Sequence, residues 1–240
     1  MQKRLARKLD LEMLLSRVKP HPTPSPDLEQ YTISADAAAT MLYIAAYANN
    51  DIVDRTVLDL GCGTGRLAVG AAFLGAKDVV GIDIDRTAVR TATQNAIEAG
   101  LAERTQWVVG DIDAVCGRFE TVLQNPPFGV QKRGADRRFL EKALTVGNMV
   151  YSLHKSVHDS EALVKRLKVT GDGVLQVSPS PFMERFVEKG GGYVSAVYAM
   201  VMTVPHMFSF HEKKKHEFVV DLYVIGKLRQ DSSETWEKVY

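Results

Sequence analysis

Two short segments carry residue types that can do chemistry. Asp59-Leu60-Gly61-Cys62-Gly63-Thr64-Gly65 sets three glycines at alternate positions behind an apolar stretch, and Asn125-Pro126-Pro127-Phe128 follows a later one. Glycines after a strand let the backbone turn sharply and let a ligand lie against it. The helix that follows presents its N-terminus to that ligand. The spacing is G-x-G-x-G, with Arg66 where the dinucleotide fingerprint has its third glycine, which weakens a nicotinamide or flavin reading. Asp83 ends the next apolar stretch, where a carboxylate can accept both hydroxyls of a ribose. Asp85 suits the cap of the helix beyond it.

The Asn-Pro-Pro-Phe run suits an exocyclic amine. Such a nitrogen has its lone pair delocalised into a ring and must recover it before it can attack a methyl group. The Asn125 side-chain oxygen and the Pro126 carbonyl can hold both of its hydrogens and favour a more pyramidal nitrogen. Pro126 and Pro127 fix the backbone that aims the second acceptor. Phe128 can stack on a base turned out of its helix, a contact worth about 1–3 kcal/mol. No strong general base is needed, because the methylated nitrogen turns acidic and loses its proton late. Catalysis of this kind is mostly positioning. The run does not choose its substrate alone, since the amide of a glutamine side chain poses the same problem.

These segments need a sheet to hold them. Strands are expected at Thr56–Leu60, Val79–Asp83, 105–110 and 119–124, with helices at 65–75 and Arg86–Ala99 between them. Alternation of this kind indicates a parallel sheet covered on both faces. Tyr193–Val204 and Phe218–Ile225 follow without an obvious helix and should close one edge as an antiparallel pair. Ahead of the sheet, residues 3–18 read as a short basic amphipathic helix, and Pro20, Pro22, Pro24 and Pro26 as an extended strap. Ser34 can cap a helix that runs to about Asn50. The chain is 45% hydrophobic and 25% charged, ordinary for a globular protein, and its net charge of +1 leaves any nucleic acid to local patches. Cys62 and Cys116 make neither a disulfide framework nor a metal spacing, which suits a reducing cytoplasm. His206, His211 and His216 recur too far apart for a usual ligand pair, so no metal is expected. The first thirty residues show no run of signal or membrane-spanning length.

The glycine loop, Asp83 and Asp111 in this order resemble the class I S-adenosylmethionine-dependent methyltransferases. With Asn125–Phe128 they resemble those that methylate the exocyclic amine of adenine. The fold implied is an α/β, Rossmann-like, mostly parallel seven-stranded sheet with an antiparallel C-terminal edge and helices on both faces. S-adenosylmethionine is the cofactor implied, with Asp59, Gly61, Gly63, Thr64, Gly65 and Asn125 around it, Asp83 at its ribose and Ile84 beside that. Asp111 would meet its adenine amine, and Ile112 would pack on the ring. Leu28-Glu29-Gln30-Tyr31, Val150–Lys155 and Phe210–Lys215 with Val220-Asp221-Leu222 are similar to the methyltransferase-like 5 family. Its members methylate N6 of an adenosine in small-subunit ribosomal RNA. The likeness covers roughly residues 1–155 and 181–228. It implies that Gln30 lines the cofactor pocket from the strap. Ile33 stands where the family has threonine, so no cofactor contact is carried to it. Some members work with a small zinc-binding activator protein that extends the sheet at an edge strand, for which Gln106–Val109 is the place to look.

On this reading residues 1–240 form a single methyltransferase domain. Within it, 1–50 hold the N-terminal helix, strap and second helix, and 51–155 the cofactor core with its motif. Residues 156–180 are an insertion. There Leu163–Val169 and Val174–Val177, joined at Thr170–Gly173, are expected to make a hairpin. Residues 181–240 supply a helix and the closing strands. Lys132, Arg133, Arg137 and Arg138 follow the motif, His154 and Lys155 end the next strand, and Lys213, Lys214 and Lys215 precede the last. Together they are expected to form a phosphate-binding rim that positions RNA without reading its sequence. Two other functions fit the same residues: a protein glutamine methyltransferase, and a catalytically silent RNA-binding assembly factor.

Overall fold

A computed structural model describes residues 6–30, 32–129, 134–158, 160–171, 173–205 and 215–228. Strands β1 (Thr56–Leu60), β2 (Asp78–Asp83), β3 (Thr105–Val109), β4 (Phe119–Gln124) and β5 (Gly147–Lys155) pair in parallel. They alternate with α3 (Arg66–Phe73), α4 (Arg86–Glu98) and α5 (Ala135–Val146), while α1 (Lys8–Ser16) and α2 (Ala35–Tyr43) come before them. After β5 come α6 (Glu161–Val169), β6 (Val174–Gln176), α7 (Pro181–Lys189), β7 (Gly192–Pro205) and β8 (Lys215–Lys227). The sheet runs β3-β2-β1-β4-β5-β8-β7-β6, with β8 antiparallel to both β5 and β7.

Every central strand is apolar on both sides because helices cover both. In β1, Val57 packs with Leu11, Leu15, Met41, Leu42 and Leu67 of α1, α2 and α3. Its neighbour Leu58 packs with Leu140 and Leu144 of α5 and Val187 of α7 on the opposite face. Successive strand residues point to opposite faces, so an unbroken apolar run is what burial on both sides demands. The order reverses between β1 and β4, and a crevice opens there at the carboxyl ends of the strands. Both the glycine loop and Asn125 lie at that crevice.

The structure corrects three expectations. Among the described residues the sheet has eight strands where seven were expected, because Val174–Gln176 pairs with Tyr198–Met200 at the outer edge. Leu163–Val169 is helical and forms most of α6, so the insertion is a helix and an edge strand rather than a hairpin. The Ser160 hydroxyl caps α6 by accepting from Leu163 N at 3.2 Å, and Leu167 is buried against Ala199 and Val219. Helical spacing between Leu163 and Leu167 outweighs the β preference of Val164 and Val169. Ser34 occupies the N-cap position of α2, yet its hydroxyl makes no capping bond and is buried without a partner. No helix among the described residues is long and apolar enough to cross a membrane.

Candidate active site

The crevice holds a cavity of about 390 Å³, lined among others by Gln30, Asp59, Gly61, Gly63, Thr64 and Asp83. Ile84, Asp111, Ile112, Asn125 and Pro127 complete that side of it. Its volume falls in the range of sites that enclose a small molecule. The loop leaving β1 turns at positive φ on Gly61, Gly63 and Gly65, and the amides of Gly61 and Cys62 both donate to the Ile82 carbonyl. A Cβ on Gly61 would lie 2.6 Å from the Phe139 ring, and one on Gly65 2.5 Å from Trp107. At Gly63 it would meet nothing within 4 Å, which leaves the backbone open to a ligand. Gly65 does not line the cavity; it makes room for Trp107.

Two acids sit below the loop. Asp59 is 1% exposed and accepts from Ala68 N at 2.9 Å. Burial pushes its pKa up to about 7, and the Asp83 charge adds to the rise. Asp83 accepts from Gly63 N at 2.8 Å and Asp85 N at 2.9 Å, and burial raises its pKa too. Asp85 caps α4, taking Thr87 N at 2.7 Å. Asp111 is ion-paired with Arg138, whose guanidinium also meets Asp113 at 2.6 Å.

The strap folds back over these groups. Gln30 donates to Asp85 at 2.7 Å, and its oxygen accepts from Ser25 N at 2.7 Å. His21 is buried and bonds Asp85 through Nε2 at 3.1 Å, while its Nδ1 accepts from Thr23 N. Because Nδ1 is an acceptor, Nε2 carries the proton. Asn95, inside α4, ties the strap to the glycine loop by bonding the Lys19 backbone and the Thr64 carbonyl. Arg66 donates to the carbonyls of Ile33 and Val18, and burial lowers its pKa to about 10. It stays charged at neutral pH. Sequence reading missed His21, Glu29, Arg66 and Asn95. For Asn95 the available signal was an amide at a buried position of α4.

The motif follows β4 directly. The Asn125 side-chain oxygen is buried and has no hydrogen-bond partner. A buried acceptor left unpaired is costly unless a ligand supplies the donor. Just before it, Gln124 donates to the Ser152 hydroxyl at 2.8 Å, and that hydroxyl bonds His154 Nε2 at 2.7 Å. Phe128 meets Phe218 edge-on at 5.9 Å, and its backbone N–H donates to Glu29 at 2.7 Å. Pro126 is buried behind the turn.

Of the expected cationic rim, Arg137, Arg138, His154, Lys155 and Lys215 are among the described residues. Arg137 stacks over Phe182 at 4.8 Å, and Lys155 is exposed at the end of β5. Arg138 is already engaged by Asp111 and Asp113. His154 is a correction: it is 7% exposed, packed against Tyr223, and burial lowers its pKa to about 4. Strand alternation turns it inward, so it offers no charge to a phosphate. Lys215 opens β8 opposite Pro205. Lys132, Arg133, Lys213 and Lys214, with His206 and His211, lie outside the described residues.

The family model described as ribosomal protein L11 methyltransferase (PrmA) matches residues 36–125, the cofactor half of this site. Mettl5 of Drosophila melanogaster, an rRNA N(6)-adenosine-methyltransferase, is 32% identical over 220 residues, 89% of this chain and 93% of that protein. The chain belongs to the Mettl5 family. The uncharacterized protein MJ0284 of Methanocaldococcus jannaschii is 37% identical over 93% of this chain and 96% of its own. PH1948 of Pyrococcus horikoshii, crystallised as a candidate RNA methyltransferase, is 34% identical with a TM-score of 0.77, covering 94% of this chain and all of that one. Magnesium protoporphyrin IX methyltransferase of Synechocystis, solved with bound S-adenosylhomocysteine, shares the fold at a TM-score of 0.57. This Mettl5-family chain is a class I S-adenosylmethionine-dependent methyltransferase. Its crevice fits that cofactor. Asp59 and Asp83 offer negative charge to a cationic ligand, Gly63 gives backbone approach, and the buried Thr64 hydroxyl is unpartnered.

Proposed function

We propose that this protein methylates N6 of an adenosine in ribosomal RNA, most directly that of the small subunit. The observation that carries the reading is the unpaired, buried Asn125 oxygen at the cavity wall, one residue beyond β4. When bound, S-adenosylmethionine supplies an activated methyl group. The chain's own residues then do positioning work. Asn125 accepts one N6 hydrogen, the Pro126 carbonyl the other, and Phe128 stacks on the base. Asn125 and the Pro126 carbonyl would hold the N6 nitrogen toward that methyl group, and the surplus N6 proton would leave to solvent. Asp83 and Ile84 would hold the ribose end of the cofactor, Asp111 and Ile112 its adenine, and Gln30 would close the strap over it.

RNA reaches the site past Arg137 and Lys155. Residues 1–240 act as one methyltransferase domain, working in the cytoplasm. A small zinc-binding activator protein would dock on β3, an outer strand on which Val108 and Val109 are 43% and 46% exposed. The test is transfer of labelled methyl to small ribosomal subunits, followed by separation of RNA from protein. Label in RNA supports the reading; label confined to protein glutamine overturns it.

A further inference from the structure

We propose that Glu29 is a positioning residue that sets the Phe128 ring for the target base. The proposal rests on the methyl-transfer reading above. Glu29 sits at the end of the short turn Pro26–Leu28 with φ of 49° and ψ of 40°, a left-handed conformation that non-glycine residues rarely take. Such strain persists where surrounding contacts impose it, and it clusters at ligand clamps. From this conformation the Glu29 carboxylate accepts a 2.7 Å bond from Phe128 N–H. Pro126 and Pro127 have no N–H, so Phe128 offers the first backbone donor after Asn125. An acceptor there fixes the peptide plane that carries the ring.

A carboxylate in a pocket that takes a polyanion opposes binding, so attraction to RNA gives no reason for an acid at this position. Fixing the motif does. The next residue, Gln30, bonds Asp85, and the Asp85 amide bonds the Asp83 carboxylate. Two consecutive strap residues therefore reach in opposite directions, Glu29 to the base-stacking ring and Gln30 to the cofactor side. Removing the Glu29 carboxylate should disturb turnover while leaving cofactor binding largely intact.

Three proteins decide it: wild type, Glu29→Ala and Glu29→Gln, the last keeping an acceptor oxygen of the same reach. Hydrogen exchange of the Asn125–Phe128 peptide reports the Phe128 amide almost alone. Exchange is expected to quicken about tenfold or more in Glu29→Ala and to stay near wild type in Glu29→Gln. In methyl transfer to small-subunit rRNA, kcat should fall about 10- to 100-fold in Glu29→Ala and recover in Glu29→Gln. The Kd for S-adenosylhomocysteine should move less than about threefold in both. Unchanged exchange in Glu29→Ala would overturn the proposal. So would a loss of cofactor affinity that accounts for the whole loss of rate. If wild type places no methyl on RNA, the functional reading fails, while the exchange comparison still decides whether Glu29 holds the motif.

Discussion

Asp59→Asn should stabilise the protein without its cofactor, and by an amount that grows with pH. Asn fills the same volume, and its oxygen can keep the bond from Ala68 N, now 2.9 Å long. What it removes is a buried charge. The Asp59 pKa rises from 3.8 to about 7 in the fold, chiefly by burial. A raised carboxyl pKa means that the folded state holds a proton the unfolded state has lost. That stability is fully present below pH 3.8 and is lost as pH rises through about 7. At about 1.4 kcal/mol per unit, the wild type loses about 2 kcal/mol by pH 5.5 and about 4 kcal/mol by pH 8. The advantage of Asp59→Asn should therefore widen by about 2 kcal/mol between those two conditions. Urea unfolding of both proteins at each pH reads this directly. The same variant should bind the cationic cofactor less well at pH 8, because the charge that costs stability faces the cavity. A stability difference that does not change with pH would refute the reasoning.

Gly63 and Gly65 should separate by assay. Gly65→Ala meets Trp107 at 2.5 Å with φ of +83° and should cost about 2–4 kcal/mol by thermal unfolding. Gly63→Ala has open space, so it should cost about 1–2 kcal/mol and mainly weaken S-adenosylhomocysteine binding. His154, its pKa depressed by burial from 6.5 to about 4, stabilises the fold above 6.5 and loses that as pH falls. Between pH 7 and 4.5 the loss should be about 2–3 kcal/mol, and His154→Gln should flatten that part of the profile. Phe128→Leu should forfeit a stacking contact of about 1–3 kcal/mol, lowering kcat/KM about 10- to 100-fold while S-adenosylhomocysteine affinity holds.

The parallel half of the fold was legible because its signals are local. Glycines at 61, 63 and 65, the Asp85 cap and the alternation of apolar runs each report their own neighbourhood. Long-range polar bonds leave no such trace. Gln30 and Asp85 lie 55 residues apart, and Glu29 and Phe128 lie 99 apart. No periodicity links them, so the strap was readable as extended chain but not as a clamp. His154 was misplaced because a strand end looks exposed in sequence, while Tyr223 of the neighbouring β8 covers it. Arg138 looked like a free cation until the fold brought Asp111 and Asp113 within reach. The α6 segment misled through its valines, since its helix depends on burying Leu167 against a sheet edge that the segment does not announce.

The most direct test of the central claim is nucleoside analysis of small-subunit rRNA after incubation with labelled S-adenosylmethionine, comparing wild type with Asn125→Ala. The expected result is labelled N6-methyladenosine from wild type and a loss of about 100-fold or more in the variant, with S-adenosylhomocysteine still bound by both. Equal N6-methyladenosine from the two proteins, or label in another nucleoside, would contradict the assignment of Asn125 and of the adenine amine it is proposed to hold.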